Sequence, residues 1–301
     1  MSSLDASLSH ASAYALSVVV ASSYLVAVFV SQLVCPSKPP LWRNRFEVVR
    51  ARMVAVSISS LLSCVLVGAT VQKLANEESS TLEMTLRLLG LPYAIEIPSL
   101  AFIKPYLIIP ILFLGPLYAQ FLSQELPFQA KWSYEEHLKP TYLTFLGMRN
   151  HVLAPITEEV TYRACVLSFF KLGGISRTKM IWLAPCWFGV AHLHHMMETC
   201  KRLGKNARAL KVAILQTAFQ FCYTTVFGWL CSFLFMRTGS LLVVIAGHSF
   251  CNTMGFPRLT AELQEHPSQK ITLLLAYFLG VGLFAYVLFP LTDNPDSIYW
   301  S

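Results

Sequence analysis

The sequence predicts an all-α, polytopic membrane protein with about eight transmembrane helices. Composition makes the first case. Mean hydropathy is +0.54, and 55% hydrophobic against 13% charged residues over 301 positions leaves too little polar surface to coat a water-soluble globule. Spacing makes the second, because apolar stretches recur at the roughly 20-residue length that a bilayer requires. Charge makes the third. The formal net charge is +7, but the basic residues lie in short clusters between apolar stretches, which suits a membrane surface and no nucleic-acid partner.

Taken in order, the candidate spans are 12–35, 51–72, 101–123, 149–170, 180–197, 212–236, 240–257 and 271–291. The first is longer than the apolar core of a signal peptide and lacks a basic leader, so it reads as a retained span. The fourth, fifth and seventh are interrupted by polar groups, and function is to be sought there. The loops after spans one, three, five and seven hold 15 Lys and Arg and the alternate loops hold 6, which places the odd-numbered loops in the cytosol and both termini on the far side. The eight cysteines form no C-x-x-C spacing, so they read as small hydrophobes with neither a disulfide framework nor a zinc knuckle. With no internal repeat and no linker, residues 1–301 read as a single membrane domain.

The fourth span carries Glu158, Glu159 and Arg163. Each ionisable side chain costs roughly 2.5–3.5 kcal/mol near the bilayer centre, or about 8–10 for the trio if uncompensated. Helical geometry sorts them: Glu159 and Arg163, four apart, share a face and form the natural ion pair, while Glu158 is rotated away. A desolvated carboxylate beside another carboxylate tends toward a raised pKa, which suits a general base. The alternative is that all three form a buried network that locks helix packing.

Two later spans add matching groups. The fifth ends Phe188-Gly-Val-Ala-His192-Leu-His-His195, where His194 and His195 border a basic loop and read as interfacial. The seventh holds His248 and Asn252 four apart, on one helix face. At 1.5 Å rise per residue, Glu158 lies roughly 14 Å, His192 about 9 Å, His248 about 13 Å and Asn252 about 8 Å from the cytosolic ends of their helices. All four therefore fall in the same half of the membrane.

A carboxylate with an imidazole polarises a water, and an imidazole N–H with an amide NH₂ cradles an oxyanion. That is the equipment for peptide hydrolysis by direct water attack. Ser249 and Cys251 read as core packing rather than as nucleophiles, since Ser249 is rotated off the His248 face and Cys251 sits in an apolar context. Three rival readings stay open. One Glu and two His could hold zinc, although no H-E-x-x-H is present. A transporter could use the charges as a relay, although paired interrupted segments are missing. A non-catalytic scaffold is the third.

At these residues the chain resembles the type II C-a-a-X prenyl endopeptidases, the Ras-converting enzymes, within the broader family of membrane C-a-a-X proteases and bacteriocin-processing proteins. The motif E-E-x-x-x-R stands as Glu158, Glu159 and Arg163, F-x-x-x-H as Phe188 and His192, and H-x-x-x-N as His248 and Asn252. The words around them, such as Arg149-Asn-His-Val-Leu-Ala-Pro-Ile-Thr-Glu158, are similar to the eukaryotic branch over about 140–260, the expected catalytic core. The resemblance implies that Glu158 with His192 activates water, His248 with Asn252 stabilises the oxyanion, and Glu159, Arg163 and Phe188 support the site. It further implies removal of the last three residues from farnesylated or geranylgeranylated C-a-a-X proteins, small-GTPase-like substrates among them, at the endoplasmic reticulum membrane. The site would open to the cytosolic side, with no metal and no cofactor.

Overall fold

The computed structural model describes residues 7–36, 44–75, 81–92, 103–191 and 194–300. Among them there is helix and no strand, as the sequence predicts. The helices begin with α1 (His10–Val34), α2 (Phe46–Leu74), α3 (Thr81–Leu88), α4 (Ile108–Leu112) and α5 (Leu114–Ser123). After a π-helical segment at Tyr134–Leu143 come α6 (Phe145–Met148) and α7 (Ala154–Glu159), separated by a π-helical turn at Arg149–Leu153. A further π-helical turn at Val160–Cys165 leads into α8 (Val166–Leu172). The order is completed by α9 (Arg177–Ala191), α10 (His194–Arg202), α11 (Ala207–Thr238), α12 (Leu241–Met254), α13 (Leu259–Glu265) and α14 (Lys270–Thr292).

Four described helices are long and apolar enough to cross a membrane: α1, α2, α11 and the stretch Pro267–Thr292. They carry the expected spans 12–35, 51–72, 212–236 and 271–291. The expected span 101–123 falls on a helix pair, Lys104–Leu112 and Leu114–Ser123, bent by 70°. Pro116 has no N–H for the Leu112 carbonyl four residues back, which weakens helical pairing at the bend. The expected span 149–170 is built of short α and π segments, 180–197 falls on α9 and α10, and 240–257 corresponds to the shorter apolar helix α12. Large apolar side chains stay exposed along the long helices, among them Leu61 and Val65 on α2 and Ile271, Phe278 and Phe289 on α14. Lipid is the solvent in which such faces are stable.

The chain divides into two compact units. The first comprises Met1–Ile95, Ile156–Val244 and Pro295–Ser301, and the second Glu96–Pro155 and Ile245–Asn294. In the first unit α1 packs against α2 and α8, and α9 and α10 pack against α11. Small residues allow the close approach: Ala13, Ser17 and Ala21 line the buried stripe of α1, and a Cβ on Gly173 would land 2.4 Å from that of Ala13. Backbones that come this close gain dispersion contacts, which is how helices associate without a hydrophobic drive between them. The C-terminal segment closes helix ends of the same unit. Ser297 donates to the Met236 carbonyl at 2.6 Å, and the fully buried Tyr299 donates to the Leu88 carbonyl. Both acceptors lie in last turns that lack intrahelical donors, and burial holds the Tyr299 phenol above its usual pKa, so the donor proton stays on.

In the second unit α14 packs against α4 and α5. Gly115 and Gly280 permit it: a Cβ on Gly115 would meet the Tyr277 ring at 2.4 Å, and one on Gly280 would come 3.0 Å from the Ile111 carbonyl oxygen.

Candidate active site

The first unit holds the acidic motif. Glu159 and Arg163 are 0% and 1% exposed, and Arg163 Nη1 donates to Glu159 Oε1 at 3.0 Å. The guanidinium also lies over the Phe188 ring, 4.5 Å from its centroid. A desolvated cation gains from a ring face. Space for the Arg163 head comes from α11, where a Cβ on Gly228 would sit 3.3 Å from Arg163 Nη2. Burying both charges is tolerable because each supplies the other's counter-charge in a medium where Coulomb attraction is strong.

Glu158, one residue earlier, is only half-buried. The backbone around it is fixed by hydroxyl groups from α1 and α2. Ser60 donates to the Thr157 carbonyl at 3.2 Å, and its oxygen lies 3.0 Å from the Thr161 hydroxyl. Tyr24 and Thr157 share a hydrogen bond of 3.2 Å between their hydroxyls. Tyr162 packs edge-on to Tyr24 at 5.6 Å and to Phe188 at 5.2 Å. The phenols of Tyr24, Tyr162 and Tyr223 all lie within electrostatic reach of the Glu158 carboxylate. Here the α-helical pattern widens into the π-turn Val160–Cys165. Turns of this kind rearrange carbonyl pairing and often mark functional positions.

The second unit holds His248 and Asn252 on α12. His248 is buried at 6% exposure, whereas Asn252 is exposed. Asn252 Nδ2 donates to the Asn150 carbonyl at 2.9 Å, and the Ser249 hydroxyl donates to the His151 carbonyl. Pro155 explains both bonds. With no N–H at 155, the carbonyl of His151 loses its α-helical donor and that of Asn150 its π-helical one. Side chains of α12 take their place. Ser249 is therefore more than core packing: its hydroxyl satisfies a backbone acceptor that a proline has orphaned.

His192 lies outside the described residues, and so do its contacts. Among the described residues no three His, Cys, Asp or Glu side chains cluster as a metal site would. Sequence reasoning sorted Glu159 with Arg163 and set Glu158 apart, and the structure has that arrangement. It missed Tyr24 and Ser60, whose hydroxyls sit in apolar stretches with no motif to announce them, and it passed over Thr157 and Thr161, which stand beside and within the acidic motif. Ser249 was within reach, because a proline four residues past a helical carbonyl signals an orphan acceptor.

Long apolar helices around a sealed ion pair and a half-buried carboxylate define an all-α integral membrane protein with a polar interior. A family model described as "Type II CAAX prenyl endopeptidase Rce1-like" matches residues 140–254. Human CAAX prenyl protease 2 is 39% identical over 264 residues, spanning 85% of this chain and 75% of that protein. Probable CAAX prenyl protease 2 of Schizosaccharomyces pombe is 32% identical over 282 residues, 93% of each chain, and the Caenorhabditis elegans CAAX prenyl protease 2 is 29% identical over 257 residues, 84% of this chain and 89% of its own. No solved structure matches. The chain belongs to the type II CAAX prenyl endopeptidase family and is an endopeptidase.

Proposed function

We propose that this endopeptidase removes the last three residues from farnesylated or geranylgeranylated C-a-a-X proteins. The names of its relatives support the substrate class. The observation that carries the catalytic assignment is the contrast between adjacent carboxylates: Glu159 is sealed against Arg163, whereas Glu158 remains half-buried. A carboxylate in a partly dry, polar-lined setting is suited to take a proton from water.

In this reading Glu158, with His192, removes a proton from water as the oxygen attacks the scissile carbonyl carbon. His248 and Asn252 donate hydrogen bonds to the oxyanion that forms. When the C–N bond breaks, the proton held by Glu158 passes to the departing amine. The products are a new prenylcysteine C-terminus and a free tripeptide. The prenyl chain contributes roughly 0.8 kcal/mol per buried CH₂ to membrane partitioning, so the lipid itself recruits substrate. The enzyme resides in the endoplasmic reticulum membrane, as its resemblance to the prenyl endopeptidases implies, and its site opens to the cytosol, an orientation that the Lys and Arg asymmetry of the loops supports.

One assay tests the whole reading. Sealed microsomal vesicles bearing the enzyme, cytosolic face outward, are given a farnesylated C-a-a-X peptide without permeabilisation. Wild type is expected to release the tripeptide, with turnover unchanged after strong chelation. Glu158→Ala is expected to lose roughly 10²- to 10⁴-fold at equal abundance. Comparable turnover by that variant removes Glu158 as the base, chelator sensitivity favours the zinc alternative, and a need for permeabilisation reverses the orientation.

A further inference from the structure

We infer that Cys64 and Cys165 are a site of reversible oxidation, where a lipid hydroperoxide closes a disulfide that slows the enzyme. The two residues stand 101 positions apart in the chain, yet their Sγ atoms are 3.8 Å apart. Both thiols are free, with Cys165 buried and Cys64 half-buried. Reduced, they share at most a weak S–H···S hydrogen bond and pack as small hydrophobes.

The sulfurs meet where α2 packs on the stretch that carries the acidic motif. Ser60 of α2 donates to the Thr157 carbonyl at 3.2 Å, and its oxygen lies 3.0 Å from the Thr161 hydroxyl. Four residues further along each segment, Cys64 faces Cys165, the last residue of the π-turn Val160–Cys165. A step of four keeps a helical side chain on the same face. The hydroxyl contacts therefore hold the two backbones in the register that brings the thiols together. A sulfur–sulfur bond is about 2.05 Å long, so the pair has to close by about 1.8 Å. Side-chain rotation supplies part of that distance, and movement of the turn toward α2 supplies the rest. The consequence for turnover rests on the proposed reading of Glu158, which lies between Thr157 and the turn. Displacing a reacting group by about 1 Å can cost on the order of 100-fold in rate.

Cys64 is the half of the pair that an oxidant reaches first. It stands on a helix long enough to cross a membrane, among the exposed side chains of Leu61, Leu62 and Val65. A hydroperoxide carried in the bilayer arrives on that face, whereas charged glutathione acts from water. The Cys64 sulfur attacks the terminal peroxide oxygen and the O–O bond breaks. The thiol is oxidised to a sulfenic acid, and the hydroperoxide is reduced to an alcohol that keeps the thiol proton. The Cys165 sulfur then attacks the sulfenic sulfur. An S–S bond forms, the S–O bond breaks, and the hydroxyl leaves with the Cys165 proton as water. Two thiols and one hydroperoxide thus give one disulfide, one alcohol and one water.

The full chain in lipid vesicles, treated with cumene hydroperoxide, supplies the test. Free thiols are then alkylated, and the digest is searched by mass spectrometry for the peptide that joins Cys64 to Cys165. That peptide is expected to appear as cleavage of a farnesylated C-a-a-X peptide falls about 10-fold or more. Dithiothreitol, a neutral dithiol, is expected to remove the bridge and restore turnover. Cys64→Ala and Cys165→Ala should cleave at the untreated rate and keep it under hydroperoxide. Absence of the joined peptide from treated wild type overturns the inference, and that measurement needs no variant. A bridge that leaves turnover unchanged overturns the regulatory role, as does equal inhibition of Cys64→Ala. A loss that dithiothreitol does not reverse marks sulfinic acid rather than a bridge and also counts against it. Failure of untreated wild type to cleave overturns the proposed substrate, while the peptide map still decides the disulfide.

Discussion

The helical stretch 145–172 is interrupted twice, and the two interruptions are stabilised by different means. At Arg149–Leu153 the difficulty lies in the backbone. Pro155 withholds a donor, and Ser249 and Asn252 of α12 satisfy the carbonyls of His151 and Asn150. At Val160–Cys165 the difficulty is charge. Glu159 and Arg163 neutralise each other, Phe188 faces the guanidinium, and Ser60 of α2 ties the flanking carbonyl of Thr157. The first arrangement exchanges neutral hydrogen bonds for others and leaves Asn150 and Asn252 exposed, with His151 and Ser249 half-buried. The second seals two full charges at 0% and 1% exposure. A buried charge is far costlier to strand than a carbonyl, so the two turns should differ in how severely they fail.

The largest effect is expected at the charged turn. Arg163→Ala leaves Glu159 buried without its counter-charge and should cost about 3–5 kcal/mol, seen as lost abundance in membranes and lost cleavage together. The double change Glu159→Leu with Arg163→Met should restore abundance, because apolar groups of similar size remove both charges. If Arg163→Ala keeps a normal unfolding temperature in detergent, the pair does not support the fold.

A smaller effect is expected at the proline turn. Ser249→Ala re-exposes the His151 carbonyl as an orphan and should destabilise by about 1–3 kcal/mol. In a Pro155→Ala background the helix regains its own N–H, and the same substitution should cost markedly less. A double-mutant cycle by thermal unfolding reads this coupling, and strict additivity would disprove the compensation. The smallest is expected for Ser60→Ala, about 1 kcal/mol, because the Thr161 hydroxyl beside it remains available to the same backbone. A loss as large as that of Arg163→Ala would mean that the hydroxyl network, not the ion pair, carries the charged turn.

Much of the fold was legible in the chain. Four of the expected spans fall on helices long enough to cross a membrane, because an apolar stretch of bilayer length has few alternatives to a helix. The pairing of Glu159 with Arg163, and the separate status of Glu158, followed from the period of the α-helix alone. The bend at Phe113 was less visible, although Pro116 removes a helical donor there. Hydropathy averages over such a residue, and a window that sums apolarity does not register a missing N–H.

By itself the sequence determined which residues must be in helix, which charges would be retained against their desolvation cost, and which two of three would pair. Those outcomes depend on local geometry and on transfer energies that each residue carries with it. Only the tertiary structure decided that Tyr24 of α1 and Ser60 of α2, 133 and 97 positions before Thr157, would hold the helix end bearing Glu158, and that Ser249 would answer a proline at 155. A serine in an apolar stretch has many acceptors open to it. Which one it takes is fixed when close packing brings a distant orphan carbonyl within hydrogen-bond reach.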